Sequence, residues 1–462
     1  MVKILLVTFD GLQPSQIRSE TMPNVTKLAD RGVRFSHNHA VFPTVTRANS
    51  ATVVTGVYPG KHGLTANKSV MRDYKDKYVV DALFPELGHV NDSVDTGLLF
   101  VPTLGERLSG MGLKWVSVVG GTSGNAFVHN PNAEASGSVI IHPEFSIPSN
   151  HHESIADKFG DWPEKASPAK DLVTRTADVV IEYALDELDP DVLMVWFPEP
   201  DTTQHAHPID SPESTAMYNH ADTEFGRLLE AVKTSGSDPD VFVVSDHGYS
   251  TIDTVVDVQC ELSSSPFAAQ HKDKDIVLAE NGGSVLFYTD QAQPGLQGDL
   301  AQWLDAQSWV GAVATTAEDS FTDVAGLKLD GPRNPDICVA LTSRPTGEPE
   351  PRGAAGASTG GAVGVGSHGG GSQSELHNTL IASGPSFRKG VVSKIPSGNI
   401  DIAPTIMRLL GGESAPHYDG RILLEALQGT PVDPEMIESN RSETATIESV
   451  TTENATYICR FG

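Results

Sequence analysis

Residues 3–10 read KILLVTFD, an almost unbroken apolar run that ends in an aspartate. Two further runs of the same kind follow along the chain, DVLMVWF at 191–197 and DVFVVSD at 240–246. Continuous apolar runs of this length are typical of strands that are buried on both faces of a parallel sheet. We therefore expect these three segments to form the centre of an α/β fold.

Helical patterns lie between and after the predicted strands. Residues 23–31 begin with a proline, and residues 171–187 and 211–233 form longer candidates. A fourth helix is predicted from Asp401 to the glycine pair that begins at Gly411. Strands that alternate with helices predict a mostly parallel sheet with helices on both faces.

Two stretches interrupt this alternation and predict insertions, at about 67–165 and 255–360. The second insertion contains its own strand–helix–strand pattern and predicts a small lobe. The glycine-dense run 353–372 predicts a mobile loop without helix or strand. We therefore predict one large domain over residues 1–428 and an acidic tail over 429–462, in which only the segment TYICR resembles a strand.

The charge of the chain limits its partners. There are 60 acidic and 32 basic residues, which gives a formal net charge of −28. A surface this acidic repels polyanions, so we expect no nucleic-acid polymer as partner. A small anionic substrate is still compatible with this charge where a metal cluster reverses it locally.

The composition of the chain excludes several other classes of protein. No apolar run reaches the roughly 18 to 20 residues of a membrane span, so we expect no membrane partner. The first apolar run leads directly into Asp10 and predicts a strand rather than a signal peptide, which favours a cytoplasmic location. Three scattered cysteines are too few for a disulfide framework or a cysteine-based zinc site. The oligomeric state cannot be predicted from these features.

Acidic and imidazole side chains follow all three predicted central strands. Asp10 ends the first strand, and Asp246 and His247 end the third. Asp201 and His205 follow the second strand with an i,i+4 spacing, which places both on one face of a helical turn. Ligands in open α/β sheets bind outside the carboxyl ends of the strands. Carboxylates and imidazoles are zinc ligands, and carboxylates also suit manganese or iron, so a metal site is predicted here.

Five motifs then occur in a characteristic order: VTFDGL, FPTVTRANSATVVTGVYPGKHGLTAN, EPDTTQH, SDHG and GSHGG. In this order the chain resembles the alkaline phosphatase superfamily, and most of all its type I phosphodiesterase / nucleotide pyrophosphatase branch. The resemblance spans roughly residues 1–428. It implies an alkaline phosphatase-like α/β/α sandwich with a mostly parallel central sheet and inserted cap segments, and it makes residues 1–428 the catalytic domain.

The resemblance also implies roles for individual residues. Asp10, Asp246 and His247 match the ligands of one zinc ion, and Asp201, His205 and His368 match the ligands of a second. Thr46 lies where the family keeps its metal-bound nucleophile. Asn67 matches a side chain that donates to a phosphoryl oxygen.

These residue types suit phosphoryl transfer. A threonine hydroxyl is a weak nucleophile at neutral pH, and a divalent metal activates it by lowering its pKa. The N-terminus of the helix predicted behind Thr46 would stabilise negative charge. The first half-reaction gives a phospho-threonine intermediate, which water then hydrolyses. No cysteine stands at the nucleophile position, which disfavours a sulfatase-type mechanism.

Three positions leave alternatives. Thr44 lies two residues before Thr46, but only Thr46 keeps the family's three-residue spacing to an asparagine. His377 competes with His368 for the last ligand position and lacks the glycine-rich approach. Arg47 is either a solvated helix residue or a substrate-binding cation, because a guanidinium matches phosphate geometry.

The substrate class follows from one departure from the family pattern. Relatives that act on phosphomonoesters or phosphonoacetate carry lysine or arginine in a loop after a later strand, and the corresponding segment 118–130 has neither. This favours phosphodiester or pyrophosphate bonds of small, nucleotide-like substrates, with Lys61, Lys68 and Arg72, which lie close to the site in sequence, as alternative sources of positive charge. A phosphomonoesterase or phosphonate hydrolase on the same site is the alternative. A non-catalytic binding protein is disfavoured, because every predicted ligand and Thr46 are present.

Overall fold

The structure is a computed structural model that describes residues 1–293, 295–316, 320–412, 417–430 and 437–462. Residues 294 and 317–319 of the second predicted insertion and 431–436 of the predicted tail lie outside the described residues. The α-helices within the described part are Pro23–Arg31, Thr46–Thr55, Pro59–His62, Glu86–Ser93, Leu104–Gly110, Ser123–Val128, Asn150–Phe159, Lys170–Val179, Asp201–Gln204, Pro212–Thr234, Val258–Ser263, Ala268–Lys272, Leu296–Asp305, Gln373–Leu376 and Ile402–Leu409.

The largest sheet has nine strands within the described residues. Their spatial order is Val391–Ser393, Val33–Phe35, Leu380–Ser383, Asp240–Val244, Ile4–Phe9, Val192–Phe197, Trp115–Val119, Val139–His142 and Phe145–Ile147. The three strands predicted from the apolar runs are neighbours at the centre and pair in parallel. Leu380–Ser383 and Phe145–Ile147 pair in antiparallel fashion with their neighbours, so the sheet is mixed with a parallel centre.

Side chains of the central strands alternate between two cores. Ile4 and Leu6 enter the core that contains helix Thr46–Thr55, whereas Leu5 and Val7 enter the core that contains helix Pro212–Thr234. This two-residue period follows from the pleat of a strand. Both faces are covered by helices, so the predicted α/β/α sandwich is confirmed.

The second predicted insertion contains a five-stranded sheet. Its strands, in spatial order, are Ile276–Glu280, Ser284–Thr289, Ile337–Leu341, Val310–Thr315 and Thr322–Asp323. Helix Leu296–Asp305 packs on this sheet through Leu300 and Leu304. The strand–helix–strand pattern predicted for this region is confirmed. The stretch 67–165, predicted as the first insertion, contributes a two-stranded hairpin, Lys68–Val70 with Val79–Asp81, and also three strands of the nine-stranded sheet, Trp115–Val119, Val139–His142 and Phe145–Ile147.

The prediction that the glycine-dense run 353–372 holds no strand is wrong. Residues Ala354–Ser358 form a buried strand beside Ser250–Val255, and Gly366–Ser367 pairs with the same strand on its other edge. Small residues allow this close approach: a Cβ atom on Gly356 would lie 2.6 Å from the carbonyl oxygen of Thr342. Gly356 therefore serves strand packing rather than mobility.

The predicted tail also has more structure than the sequence pattern indicated. Residues 439–461 form a three-stranded antiparallel sheet, whose strands are Ser439–Glu443, Ile447–Thr452 and Ala455–Phe461. Phe461 is buried against Phe42 with the two ring centroids 5.2 Å apart, and its backbone N–H donates to Gly371 O at 2.9 Å. The boundary at residue 428 stays a prediction, but this last strand is packed against the larger body.

Among the described residues, none of the helices combines the length and the apolar character needed to cross a membrane.

Candidate active site

Three neighbouring parallel strands deliver the predicted carboxylates to one edge of the sheet. Asp10 directly follows Ile4–Phe9, and Asp246 lies two residues beyond Asp240–Val244. Asp201 opens the short helix that follows Val192–Phe197. Because these strands run in the same direction side by side, their carboxyl ends meet, and the three side chains converge.

The first group consists of Asp10, Asp246 and His247. Their ligand atoms all lie within 4.8 Å of one another. His247 Nε2 is 3.6 Å from Asp10 Oδ1 and 3.1 Å from Asp246 Oδ2. His247 Nδ1 lies 3.0 Å from Gly248 O, and donation to this carbonyl leaves Nε2 as the ligand atom.

The second group lies directly beside the first. Asp201 Oδ1 is 3.3 Å from His205 Nε2 and 3.4 Å from His368 Nε2, and the two imidazole nitrogens are 3.1 Å apart. His247 is within reach of this group as well, because its ring stacks on the ring of His368 with centroids 3.7 Å apart. The six residues predicted as metal ligands in addition to Thr46 therefore lie together.

The electrostatics of the cluster fit divalent metals. Asp10 Oδ1 and Asp246 Oδ2 are buried and have no hydrogen-bond partner among the described residues. Burial, and then the neighbouring carboxylates Asp246 and Asp201, raise the pKa of Asp10 well above its ordinary value. Burial and the adjacent His247 lower the pKa of His368 to about 4, which keeps it in the neutral form that binds metals. A divalent cation would both satisfy the bare oxygens and offset the repulsion between carboxylates.

Thr46 is the first residue of helix Thr46–Thr55, and its Oγ1 lies 3.3 Å from His247 Nε2. The hydroxyl therefore borders the first ligand group. Because Thr46 opens this helix, its hydroxyl is at the helix N-terminus, where negative charge is favoured.

Asn67 and Arg47 flank the threonine. The Arg47 backbone N–H donates to Asn67 Oδ1 at 2.9 Å, so the Asn67 amide is fixed beside the helix N-terminus with its NH2 group as a donor. The Arg47 side chain is only 11 % exposed, so Arg47 is not a solvated helix residue.

Thr44 and His377, the alternatives to Thr46 and His368, make other contacts. Thr44 is fully buried, its hydroxyl donates to Gly370 O at 2.8 Å, and its carbonyl accepts from His368 Nδ1 at 2.8 Å. It therefore lies behind the histidine rather than beside the metal ligands. His377 lies between Ser36 O, 3.1 Å from Nε2, and Glu350 Oε1, 3.3 Å from Nδ1.

Three supporting residues were not predicted. Trp196 Nε1 donates to Asp10 Oδ2 at 2.9 Å, and the Tyr249 hydroxyl donates to Asp201 Oδ1. Glu375 accepts from the hydroxyls of Ser250 and Thr44. A tryptophan inside an apolar strand predicts core packing, and no local pattern singles out the other two.

Comparison with known proteins identifies the family. Residues 4–299 match the family described as type I phosphodiesterase / nucleotide pyrophosphatase. The chain belongs to this family. The resemblance stated from the motifs is thereby confirmed at the level of the family.

Curated members of the family are similar over about half of this chain. Human ectonucleotide pyrophosphatase/phosphodiesterase family member 7 is 26 % identical over 253 residues, which cover 54 % of this chain and 48 % of the relative. Human bis(5'-adenosyl)-triphosphatase ENPP4 is 25 % identical over 251 residues, 53 % of this chain and 47 % of the relative. The chain thus spans about half the length of the curated relatives it matches.

Solved structures share the fold over most of the chain. Murine ectonucleotide pyrophosphatase/phosphodiesterase 5, an inactive variant in complex with AMP, superimposes with a TM-score of 0.66 and 18 % identity. The match covers 93 % of this chain and all of that one. The alkaline phosphatase-like fold predicted from the resemblance is confirmed.

Proposed function

We propose that this family member is a hydrolase of phosphodiester or pyrophosphate bonds in small, nucleotide-like substrates, with Thr46 as the nucleophile. The observation that carries the proposal is a cluster of six candidate ligand side chains bordered by the Thr46 hydroxyl, in which two buried carboxylate oxygens have no hydrogen-bond partner among the described residues.

We assign two divalent metal ions to the cluster, with zinc as the first choice and manganese or iron as alternatives. Asp10, Asp246 and His247 would hold one ion, and Asp201, His205 and His368 the other. Bound metals would supply Lewis acidity that lowers the pKa of the threonine hydroxyl and offsets phosphoryl charge.

The residues themselves define the covalent chemistry. Thr46 Oγ1 loses its proton to solvent and attacks phosphorus, so that the Oγ1–P bond forms while the bond from phosphorus to the leaving oxygen breaks, and the leaving oxygen takes up a proton from solvent. The phosphorylated threonine keeps the second ester group when the substrate is a diester. The helix N-terminus and the Asn67 NH2 group hold the phosphoryl oxygens during this step. Water then cleaves the Oγ1–P bond and regenerates the hydroxyl.

The segment 118–130 supports a diester or pyrophosphate over a monoester. Helix Ser123–Val128 lies against helix Thr46–Thr55, where Ser50 Oγ donates to Asn125 Oδ1. This neighbour of the nucleophile helix has no lysine or arginine between residues 118 and 130. It therefore supplies no cation for the additional charge of a terminal phosphoryl group.

A phosphomonoesterase or phosphonate hydrolase on the same site remains the second candidate. The observation in its favour is Arg47, a nearly buried cation that directly follows the nucleophile in the chain. A cation at this position would suit a substrate that carries more than one negative charge.

A comparison of substrates tests the proposal. Purified protein with measured metal content should cleave bis(p-nitrophenyl) phosphate or the nitrophenyl ester of thymidine monophosphate much faster than p-nitrophenyl phosphate. A clear preference for p-nitrophenyl phosphate would transfer the assignment to the monoesterase. Absence of cleavage of all three by metal-loaded protein would refute the hydrolase.

A further inference from the structure

Arg47 has an unusual environment for an arginine on the first turn of a helix. Its closest carboxylate is Asp81, with 3.8 Å between Nη1 and Oδ1, which is too long for a hydrogen bond. Arg47 Nε is buried and has no hydrogen-bond partner among the described residues. Burial of a guanidinium is costly unless its N–H groups are paired, so the described contacts leave this one under-satisfied.

Arg47 directly follows Thr46, whose hydroxyl borders the first ligand group, and its guanidinium is within electrostatic reach of the carboxylates of the cluster. Burial lowers the pKa of Arg47, and the negative charges of Asp81, Asp10 and Asp201 partly oppose this effect. Two of these three carboxylates are predicted metal ligands, so the charge of Arg47 acts on the region where a phosphoryl group would bind. The Asp81 side chain is 47 % exposed as a whole, but its Oδ1, which faces Arg47, is buried and has no hydrogen-bond partner among the described residues.

The position of Arg47 is fixed by its surroundings. Its backbone N–H is held by Asn67 Oδ1, and Asn67 O accepts from the backbone N–H of Ala82 at 2.8 Å. Asn67 directly precedes the hairpin, in which Lys68 and Asp81 lie opposite each other in the backbone register of the two strands. Arg47, Asn67 and Asp81 therefore form one wall of the site, in which the cation is next to the predicted phosphoryl donor.

We propose that Arg47 is a specificity-determining residue that binds a second phosphate, the one adjacent to the scissile phosphoryl group. This inference rests on the proposed function and narrows its substrate class to oligophosphates. The planar guanidinium presents N–H donors in a fork that matches two phosphate oxygens, and the two Nη groups would supply this fork. A simple diester with neutral substituents offers no group for this contact.

The test measures the ratio of kcat/KM for ATP to kcat/KM for bis(p-nitrophenyl) phosphate. ATP carries phosphates next to the cleaved bond, bis(p-nitrophenyl) phosphate carries none, and p-nitrophenyl phosphate has a terminal phosphoryl group only. We expect Arg47→Met to lower kcat/KM for ATP by about 10- to 100-fold more than for bis(p-nitrophenyl) phosphate, as charge-assisted hydrogen bonds are lost. Arg47→Lys keeps the charge without the fork and should fall between Arg47→Met and wild type.

Two further variants sharpen the result. Arg72→Met is the matched control, because Arg72 lies between the two strands of the adjacent hairpin but is paired with Asp336, 2.6 Å from Nη2 to Oδ2. Arg72→Met should leave the ratio of kcat/KM for the two substrates, ATP and bis(p-nitrophenyl) phosphate, unchanged. Asp81→Asn removes the carboxylate that competes for Arg47, and we expect it to lower KM for ATP roughly 2- to 5-fold.

The outcomes separate the inference from the proposed function. An equal fall for ATP and bis(p-nitrophenyl) phosphate, or a larger fall for p-nitrophenyl phosphate, would overturn the second-phosphate role. Wild-type protein that cleaves none of the three would instead overturn the proposed function. In that case, calorimetric binding of ATP to metal-loaded protein still decides the role of Arg47, since Arg47→Met must weaken binding about 10-fold or more if the inference holds.

Discussion

The backbone carbonyl of Thr44 accepts a hydrogen bond from Nδ1 of His368 at 2.8 Å. This contact directs the opposite nitrogen, Nε2, towards Asp201 and His205. The Thr44 hydroxyl holds the loop that follows the histidine, because it accepts from Gly369 N at 2.9 Å and donates to Gly370 O at 2.8 Å. The threonine considered as a rival nucleophile therefore orients a candidate metal ligand.

Replacement of Thr44 by valine tests the contribution of its hydroxyl to the position of His368. Thr44→Val keeps the carbonyl but leaves the buried Gly369 N–H without its acceptor, which costs about 1–3 kcal/mol of stability. We expect metal affinity to fall roughly 10- to 100-fold, as for other losses of groups that orient a ligand. Metal retention during chelator titration measures this. Thr55→Val is the control, because the Thr55 hydroxyl only donates to Ala51 O within the same helix. Equal retention in both variants would contradict the assignment.

Thr46 should be essential for turnover and dispensable for metal binding. Thr46→Ala removes the nucleophile, and we expect kcat to fall by roughly 10³ or more, while the six other ligand side chains still hold metal. Thr46→Ser restores a hydroxyl at the same position and should recover part of the rate. Steady-state kinetics together with elemental analysis give both quantities. Turnover of Thr46→Ala at the wild-type rate would remove this residue from the mechanism.

Removal of metal should affect stability as well as activity. Without cations, the buried carboxylates Asp10, Asp201 and Asp246 repel one another. A ligand present at about 1,000 times its Kd stabilises a fold by about 4 kcal/mol, so EDTA-treated protein should unfold at a lower temperature. Zinc, manganese or iron added back should restore both Tm and activity. Metal-free protein with an unchanged Tm and full activity would refute the metal assignment.

Asp401 should make stability depend on pH. Its carboxylate accepts from Arg421 N, Gly398 N and the Tyr457 hydroxyl, and burial raises its pKa from 3.8 to about 6. The folded state therefore binds this proton more tightly than the unfolded state does. The Asp401 carboxyl group therefore makes its whole contribution to the free energy of unfolding below about pH 4. This contribution is lost as the pH rises towards 6, by at most about 1.4 kcal/mol per pH unit.

The Asp401→Asn variant isolates this contribution. Urea unfolding of wild type and variant between pH 4 and 7 should give curves of stability against pH with different slopes, because asparagine does not titrate. Many other carboxylates also titrate in this range, so only the difference between the two proteins is informative. Parallel curves would show that Asp401 keeps an ordinary pKa.

The sequence predicted those features that depend on local patterns. Apolar runs identified the central strands, and the polar residues that end them converge because parallel neighbours bring their carboxyl ends together. Contacts between distant segments could not be predicted in this way. Trp196 and Asp10 lie far apart in the chain, and Ala354–Ser358 becomes a strand only because Ser250–Val255 lies beside it. Ser439–Glu443 has little intrinsic strand preference and depends on its pairing with Ile447–Thr452.

The strand Ala455–Phe461 has a consequence for biosynthesis. Every predicted site residue precedes residue 369, so a ribosome emits them all well before this strand. The strand nevertheless holds the loop behind His368, through the Phe461 N–H on Gly371 O, and packs on Phe42 near the nucleophile. A nascent chain that has emerged only to residue 450 therefore carries all candidate ligands without this support. We therefore expect a chain that is truncated before this strand to have a poorly supported loop at His368, although its motif set is intact.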